Sequence, residues 1–211
     1  MTNAAVAGRA LLCDLFLDVG PDAPTLCGDW TTRDLAAHLV IRERRPDAGP
    51  GIISSFLQGY SERVRKEEAA RPYPEIVERV RSGPPRLSPL RLDAVDAMVN
   101  TIEFFVHHED VRRAEQPWSV RALDPALDDG LAKLVGGAMG RLLVRSSPVG
   151  LVIEPTGHSG ARLKAGDPTV AVHGPIGEIV LFLYGRQAVA EVELEGDADA
   201  VARLRQASFG I

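Results

Sequence analysis

Near residue 148 the spacing of the apolar residues changes, and this limits the fold more than any other feature of the chain. Before it, apolar positions recur every three or four residues, the period of helices that bury one face. After it come "VGLVIEP", "ARLKAG" and "TVAVHG", short β-rich runs bounded by Gly, Pro and Asp. The reading is a helical bundle at 1–147 and a small α/β domain at 148–211. The 211 residues, 45% of them hydrophobic, suffice for one large domain or two small ones.

Helices are predicted over 3–19, ending at Gly20-Pro21, and over "TTRDLAAHLVIRERR", stopping before Pro46. Thr31 and Asp34 there stand as a capping box, with Asp in place of Glu. Further helices are expected at about 52–70, 74–82, 93–114 and 125–146, with the proline-rich "SGPPRLSPLR" as a connection. In the second part, "PIGEIVLFLYGR" reads as a helix that starts with proline and ends at glycine. "AEVELEG" alternates like a strand, and "DADAVARLRQAS" returns to a helix with Asp197 at its N-cap.

Charge and composition remove several function classes. A net charge of −5 gives no electrostatic reason to expect nucleic-acid binding. Cations are nearly all arginine, Lys66, Lys133 and Lys164 being the lysines; coding bias explains this better than selection for anion binding. No run approaches the roughly 20 apolar residues of a membrane span. The first residues, with Asp14 among them, do not read as a signal peptide. Cys13 and Cys27 make no disulfide framework, so a reduced cytoplasm is the expected location. Cys13, among Leu11, Leu12, Leu15 and Phe16, reads as core.

The chemistry lies in "NTIEFFVHHEDVRRA" (100–114). With about 100° between successive helical side chains, Val95, Val99, Ile102 and Val106, with Met98 beside them, form a core stripe. Asp96, Asn100, Glu103, His107 and Asp110 form an adjoining polar stripe. Residues so placed can point into the mouth of a bundle. Glu103 and His107, at i and i+4, are neighbours able to share one divalent ion, although such pairs are more often surface contacts. His38 sits on the flank of the apolar face made by Leu35, Ala36, Leu39 and Val40. Asp34 lies one turn before His38 and Asp110 three residues after His107, each placed to orient an imidazole from behind; helix capping is the competing role for Asp34. Two histidines and a carboxylate leave coordination positions open, as in catalytic zinc sites or in nickel or iron sites. The His-Glu-x-x-His order of metalloproteases is absent. His108 falls outside the stripe and is expected to face solvent.

These segments resemble the DinB-like, mycothiol-dependent maleylpyruvate isomerase superfamily. "CGDWTTRDLAAHL" (27–39) is similar to its Trp-Ser/Thr-x-x-Asp-x-x-x-His-Leu segment, and "EFFVHHED" (103–110) to its Glu-x-x-x-His-x-x-Asp segment. "VAVHGPIGEIVLFLYGRQAVAEVELEGD" (170–197) resembles the family's C-terminal domain, and "HLVIRERRPDAGPGI" (38–52) an actinobacterial branch described only as metal-binding proteins. The resemblance implies an α+β fold, a DinB-like four-helix-type bundle followed by a small α/β domain. It puts the metal ligands on His38, Glu103 and His107. His108 departs from it, since many relatives carry a small residue there.

The expected function is that of a divalent-metal protein, with zinc the first choice, in which the metal activates a thiol, mycothiol by resemblance, for isomerisation or S-transfer. Its partners would be that thiol and an electrophilic substrate. Arg42, Arg45 and Arg186 are candidates for holding carboxylates or the thiol cofactor; each also reads as a surface arginine, and Arg186 as a helix C-cap charge. The alternative is a non-enzymatic metal- or small-ligand-binding protein on the same fold. For the C-terminal domain the roles are closing one side of the metal cleft, supporting the bundle, or forming a homodimer.

Overall fold

A computed structural model describes residues 4–45, 58–85, 88 and 92–209. The fold is mixed α+β, with a helical part followed by a four-stranded sheet and its helices. It divides into two compact units, Met1–Trp118 and Ser119–Ile211.

The first unit contains α1 (Ala4–Val19), α2 (Thr32–Arg44), α3 (Gln58–Ala69), α4 (Tyr73–Arg81) and α5 (Asp93–Arg112). The expected start of α3 near residue 52 and the segment 46–52 lie outside the described residues. Helix α1 packs on α5 and α4, and α2 packs on α3 and α4. Leu12, Phe16, Leu35, Leu39, Ile76 and Phe104, all fully buried or nearly so, fill the space between them. Gly8 lets α1 approach α5: a Cβ there would stand 3.3 Å from Phe104 Cβ. Thr31 ends the loop before α2, its N–H and hydroxyl both donating to Asp34 Oδ2, at 3.1 and 3.0 Å. Cys13 is buried, as its neighbours implied. Met98 is not part of the core stripe. It is 54% exposed, while Ile102 and Val106, on the buried side of α5, are 2% exposed.

The second unit begins earlier than residue 148. It contains α6 (Pro125–Val135), α7 (Ala138–Leu143), β1 (Gly150–Pro155), β2 (Ala161–Lys164), β3 (Thr169–Gly174), α8 (Ile176–Leu183), β4 (Glu193–Glu195) and α9 (Ala198–Gln206). The strand order is β2-β1-β3-β4, with β1 and β3 parallel and the outer pairs antiparallel. In the parallel pair Leu151 stands opposite Val170 and Ile153 opposite Val172, and all four are buried. Their alternation along each strand gives the sheet one apolar face. Helix α8 is buried at every position and packs on β1, β3 and α6. Helix α7 packs on β2. This packing is why the boundary falls at 118/119 and not at 147/148: Leu131 and Val135 of α6 bury their side chains within the sheet's unit.

The single helix expected over 125–146 is two. Gly136 and Gly137 separate α6 from α7, and a Cβ at Gly140 would collide with the carbonyl oxygen of Val135. Asp124 caps α6 by accepting from Ala126 N at 2.9 Å, with Pro125 in its first turn. Asp197 caps α9, accepting from the amides of Asp199 and Ala200 at 3.1 Å. Among the described residues no helix is long and apolar enough to cross a membrane.

Candidate metal centre

The polar stripe of α5 turns inward. Asn100 and Asp110 have no exposed surface, Asp96 retains 6% and His107 9%. Burying so many polar groups demands partners, because a buried polar group without one costs on the order of 1–3 kcal/mol. The partners come from α1, α2 and the loop before α2.

Glu103 is the hub. Its Oε1 lies 3.2 Å from His107 Nε2, 3.7 Å from His38 Nε2 and 3.2 Å from Arg42 Nε. The ligating atoms of His38, Glu103 and His107 all lie within 4.8 Å of one another. The two imidazole rings stand edge to face, their centroids 5.7 Å apart, and Trp30 packs on His38 at 5.2 Å. Helix α2 carries His38 and α5 both other residues, and the hydrogen bonds of Arg42 and Glu43 on α2 to Asn100 on α5 bring the donors to one point.

The electrostatics follow from the contacts. Burial favours the neutral Glu103 carboxyl, but hydrogen bonds with His107 and His38 and the charge of Arg42 outweigh it and hold its pKa well below the usual carboxylate range. Burial likewise opposes charge on His107, yet its contacts with Asp110, Cys27 and Glu103 raise its pKa well above that of a free imidazole. His38 moves the other way: burial lowers its pKa, and the pull of Glu103 does not restore it. The site therefore holds an ionised carboxylate, a neutral imidazole and an imidazole that retains its proton to unusually high pH.

Asp110 meets His107 from behind, with Oδ2 2.9 Å from Nδ1. This fixes the ring so that Nε2 faces Glu103 and His38. Asp34 does not serve His38 in this way. It accepts from Thr31 and forms an ion pair with Arg65, whose guanidinium lies 4.8 Å from the Trp30 ring. Its work is that of a helix cap and an anchor for α3, and its pKa is lowered by the Arg65 and Thr31 hydrogen bonds against the opposing effect of burial.

The three arginines fare differently. Arg42 reaches the centre but binds the protein's own groups: besides Glu103, it donates to Asn100 Oδ1 at 2.6 Å and to the Val99 carbonyl at 3.2 Å. Arg45 ends α2 and donates to the Tyr60 hydroxyl at 3.1 Å. Arg186 donates to the Tyr184 carbonyl at 2.6 Å, just past the end of α8, the capping role that its position also suggested. His108 does not face open solvent. It is half-buried, with Nδ1 3.7 Å from Glu109 Oε1.

Two features of the centre carry no signal in the local sequence pattern. Cys27 Sγ lies 3.1 Å from Asp110 Oδ2 and 3.8 Å from His107 Nδ1, so a loop thiol belongs to the centre. The second is a buried network behind Arg42. Arg9 forms a two-pronged pair with Glu43 at 2.6 and 2.7 Å, and Asn100 Nδ2 donates to Glu43 Oε1 at 3.1 Å and to Asp96 Oδ1 at 2.7 Å. Polar contacts thus run unbroken from Arg9 through Glu43, Asn100, Arg42, Glu103, His107 and Asp110 to Cys27. Glu43 lies five residues beyond His38 in an amphipathic helix, a position that carries no signal until Arg9 is known to face it. The second unit has its own acid–imidazole group, with His158 Nε2 2.6 Å from Asp128 Oδ2 and Nδ1 3.9 Å from Asp129 Oδ1, but the Asp129 side chain is 80% exposed.

Comparisons with family models, with curated proteins and with solved structures found no match to this chain.

Proposed function

We propose that His38, Glu103 and His107 bind one divalent cation, zinc first, and that the protein uses it to activate a low-molecular-weight thiol for isomerisation or S-transfer. The observation that carries this reading is the convergence of two Nε2 atoms and one carboxylate oxygen, drawn from two helices, within 4.8 Å. The donor set fits the ion. Two imidazoles and a carboxylate suit zinc, nickel or iron and leave room for an exogenous ligand. The helical unit is inferred to be a DinB-like bundle on the motifs at 27–39 and 103–110, with mycothiol as the thiol that those motifs imply.

The bound metal would supply charge that stabilises a thiol as thiolate, its nucleophilic form. The residues of the chain do the rest. Asp110 accepts from Nδ1 and so presents His107 Nε2. Asn100 and the Val99 carbonyl hold Arg42 against Glu103, adding to the His107 and His38 hydrogen bonds that favour the ionised carboxylate. Trp30 packs against the His38 ring, with the centroids 5.2 Å apart. A thiolate adding to a conjugated double bond forms a C–S bond while the π pair moves to the neighbouring carbon. Rotation and expulsion of the thiolate complete an isomerisation, and protonation of the adduct completes a transfer.

The test is turnover of maleyl-type electrophiles by metal-loaded protein with mycothiol. Turnover that needs both metal and thiol supports the enzyme. Stoichiometric metal binding without thiol consumption or isomerisation limits the function to metal binding.

A further inference from the structure

The imidazole of His107 has two nitrogens, and each faces a different set of donors. Nε2 faces Glu103 and His38; Nδ1 faces Asp110 and Cys27, and Cys27, His107 and Asp110 form a second group whose ligating atoms all lie within 4.8 Å of one another. We propose that Cys27, His107 Nδ1 and Asp110 form a second cation seat, selective for thiophilic ions.

The spacing supports a seat. The three donors are separated by 2.9, 3.1 and 3.8 Å. Tetrahedral ligands at zinc-type bond lengths stand roughly 3.3–3.8 Å apart, so occupancy needs shifts of only a few tenths of an ångström. The thiol is also held in place by built structure. Leu26 N donates to the carbonyl of Asp110 at 3.0 Å, tying the loop to the residue that carries the carboxylate. Cys27 N donates to Thr25 Oγ1 at 3.1 Å, Thr25 in turn donates to the Trp30 carbonyl at 2.8 Å, and Gly28 turns the chain at a φ of 65°. Asp110 has no exposed surface, so its Oδ2 is fixed by the packing around it at 3.1 Å from the sulfur. Orientation of His107 by Asp110 requires no thiol. The sulfur changes the chemistry, since thiolate favours zinc, cadmium and copper(I) over hard cations. Binding exchanges protons for the ion: the thiol and the Nδ1–H each release a proton to solvent.

This seat does not depend on His38 or Glu103, so its fate separates from that of the proposed function. The experiment is titration of the metal-free chain with cadmium chloride, followed by the thiolate-to-cadmium charge-transfer absorption in the ultraviolet. The expected result is a saturable band that persists in Cys13→Ala and in His38→Ala and is lost in Cys27→Ala. No band in the unmodified chain, or a full band in Cys27→Ala, overturns the proposal. Loss of the band in His38→Ala also overturns it, because the thiol would then serve the other seat. If Cys27→Ala fails to fold, alkylation of the unmodified chain decides the matter. One equivalent of cadmium should slow Cys27 modification by iodoacetamide at least about tenfold, as a metal-bound thiolate is withdrawn from attack; an unchanged rate overturns the seat.

Discussion

Both units have an apolar core, but they differ in how many polar groups they bury beside it. Among the described residues, the buried polar and charged side chains of the first unit number fifteen, against Ser147 and Glu178 in the second. The second unit is a sheet with an apolar face under a helix, α8, whose buried run is Ile179, Val180, Leu181, Phe182 and Leu183. Glu178 is accommodated there by accepting from the Glu191 amide at 2.9 Å. Its stability follows from apolar area removed from water. The first unit sets a line of charges inside its bundle, an arrangement often no more stable than packed hydrophobic residues of the same size. The interior that tolerates ionic groups is also the one in which they converge, on Glu103.

The largest effect expected from this contrast is at the Arg9–Glu43 pair, whose side chains are only 8% and 2% exposed. Glu43→Ala should destabilise the first unit by about 3–5 kcal/mol, since it leaves a buried guanidinium without its main partner. The double change Arg9→Met with Glu43→Leu should recover most of that loss in a denaturant titration. If it does not, the polar interior stabilises the unit outright and the contrast with the second unit fails.

Next in size is Asp110→Asn. Weakening the hold on His107 should reduce metal affinity about 10–100-fold in a competition titration. Protonation sharpens the same point. The raised pKa of His107 means that its proton persists above the usual imidazole range, so a metal ion must displace it. Affinity should therefore rise about tenfold per pH unit from the ordinary imidazole range upward, and level off once pH exceeds the folded pKa. A flat profile would show that His107 does not surrender a proton on binding.

The smallest effect belongs to Asp34→Asn. It should lower stability by about 1 kcal/mol through the weakened cap and the lost Arg65 pair, with metal affinity unchanged. A drop in affinity instead would return Asp34 to the imidazole-orienting role considered for it.

Much of the arrangement was legible in the chain because it depends on local spacing. The i,i+4 relation of Glu103 and His107 and the flank position of His38 follow from helical geometry, and Thr31-x-x-Asp34 announces the start of α2. What was not legible depends on tertiary packing. Cys27 sits in a loop, where no periodicity says which way a thiol points; the Leu26–Asp110 backbone bond decides it. Arg42 lies one turn beyond His38, but its commitment to Glu103 and Asn100 appears only when α2 and α5 meet. The change of period near residue 148 marks where strands begin. The unit itself begins near Ser119, because α6 and α7 are helical yet pack on α8 and β2.

We attribute the ionic interior of the first unit to a metal held by His38, Glu103 and His107. Elemental analysis of the full chain after zinc loading and removal of free ion tests this attribution most directly, comparing the unmodified chain with His38→Ala and Glu103→Gln. Both variants, still folded by circular dichroism, are expected to retain less zinc than the unmodified chain. Zinc content equal to that of the unmodified chain in both variants would contradict the attribution.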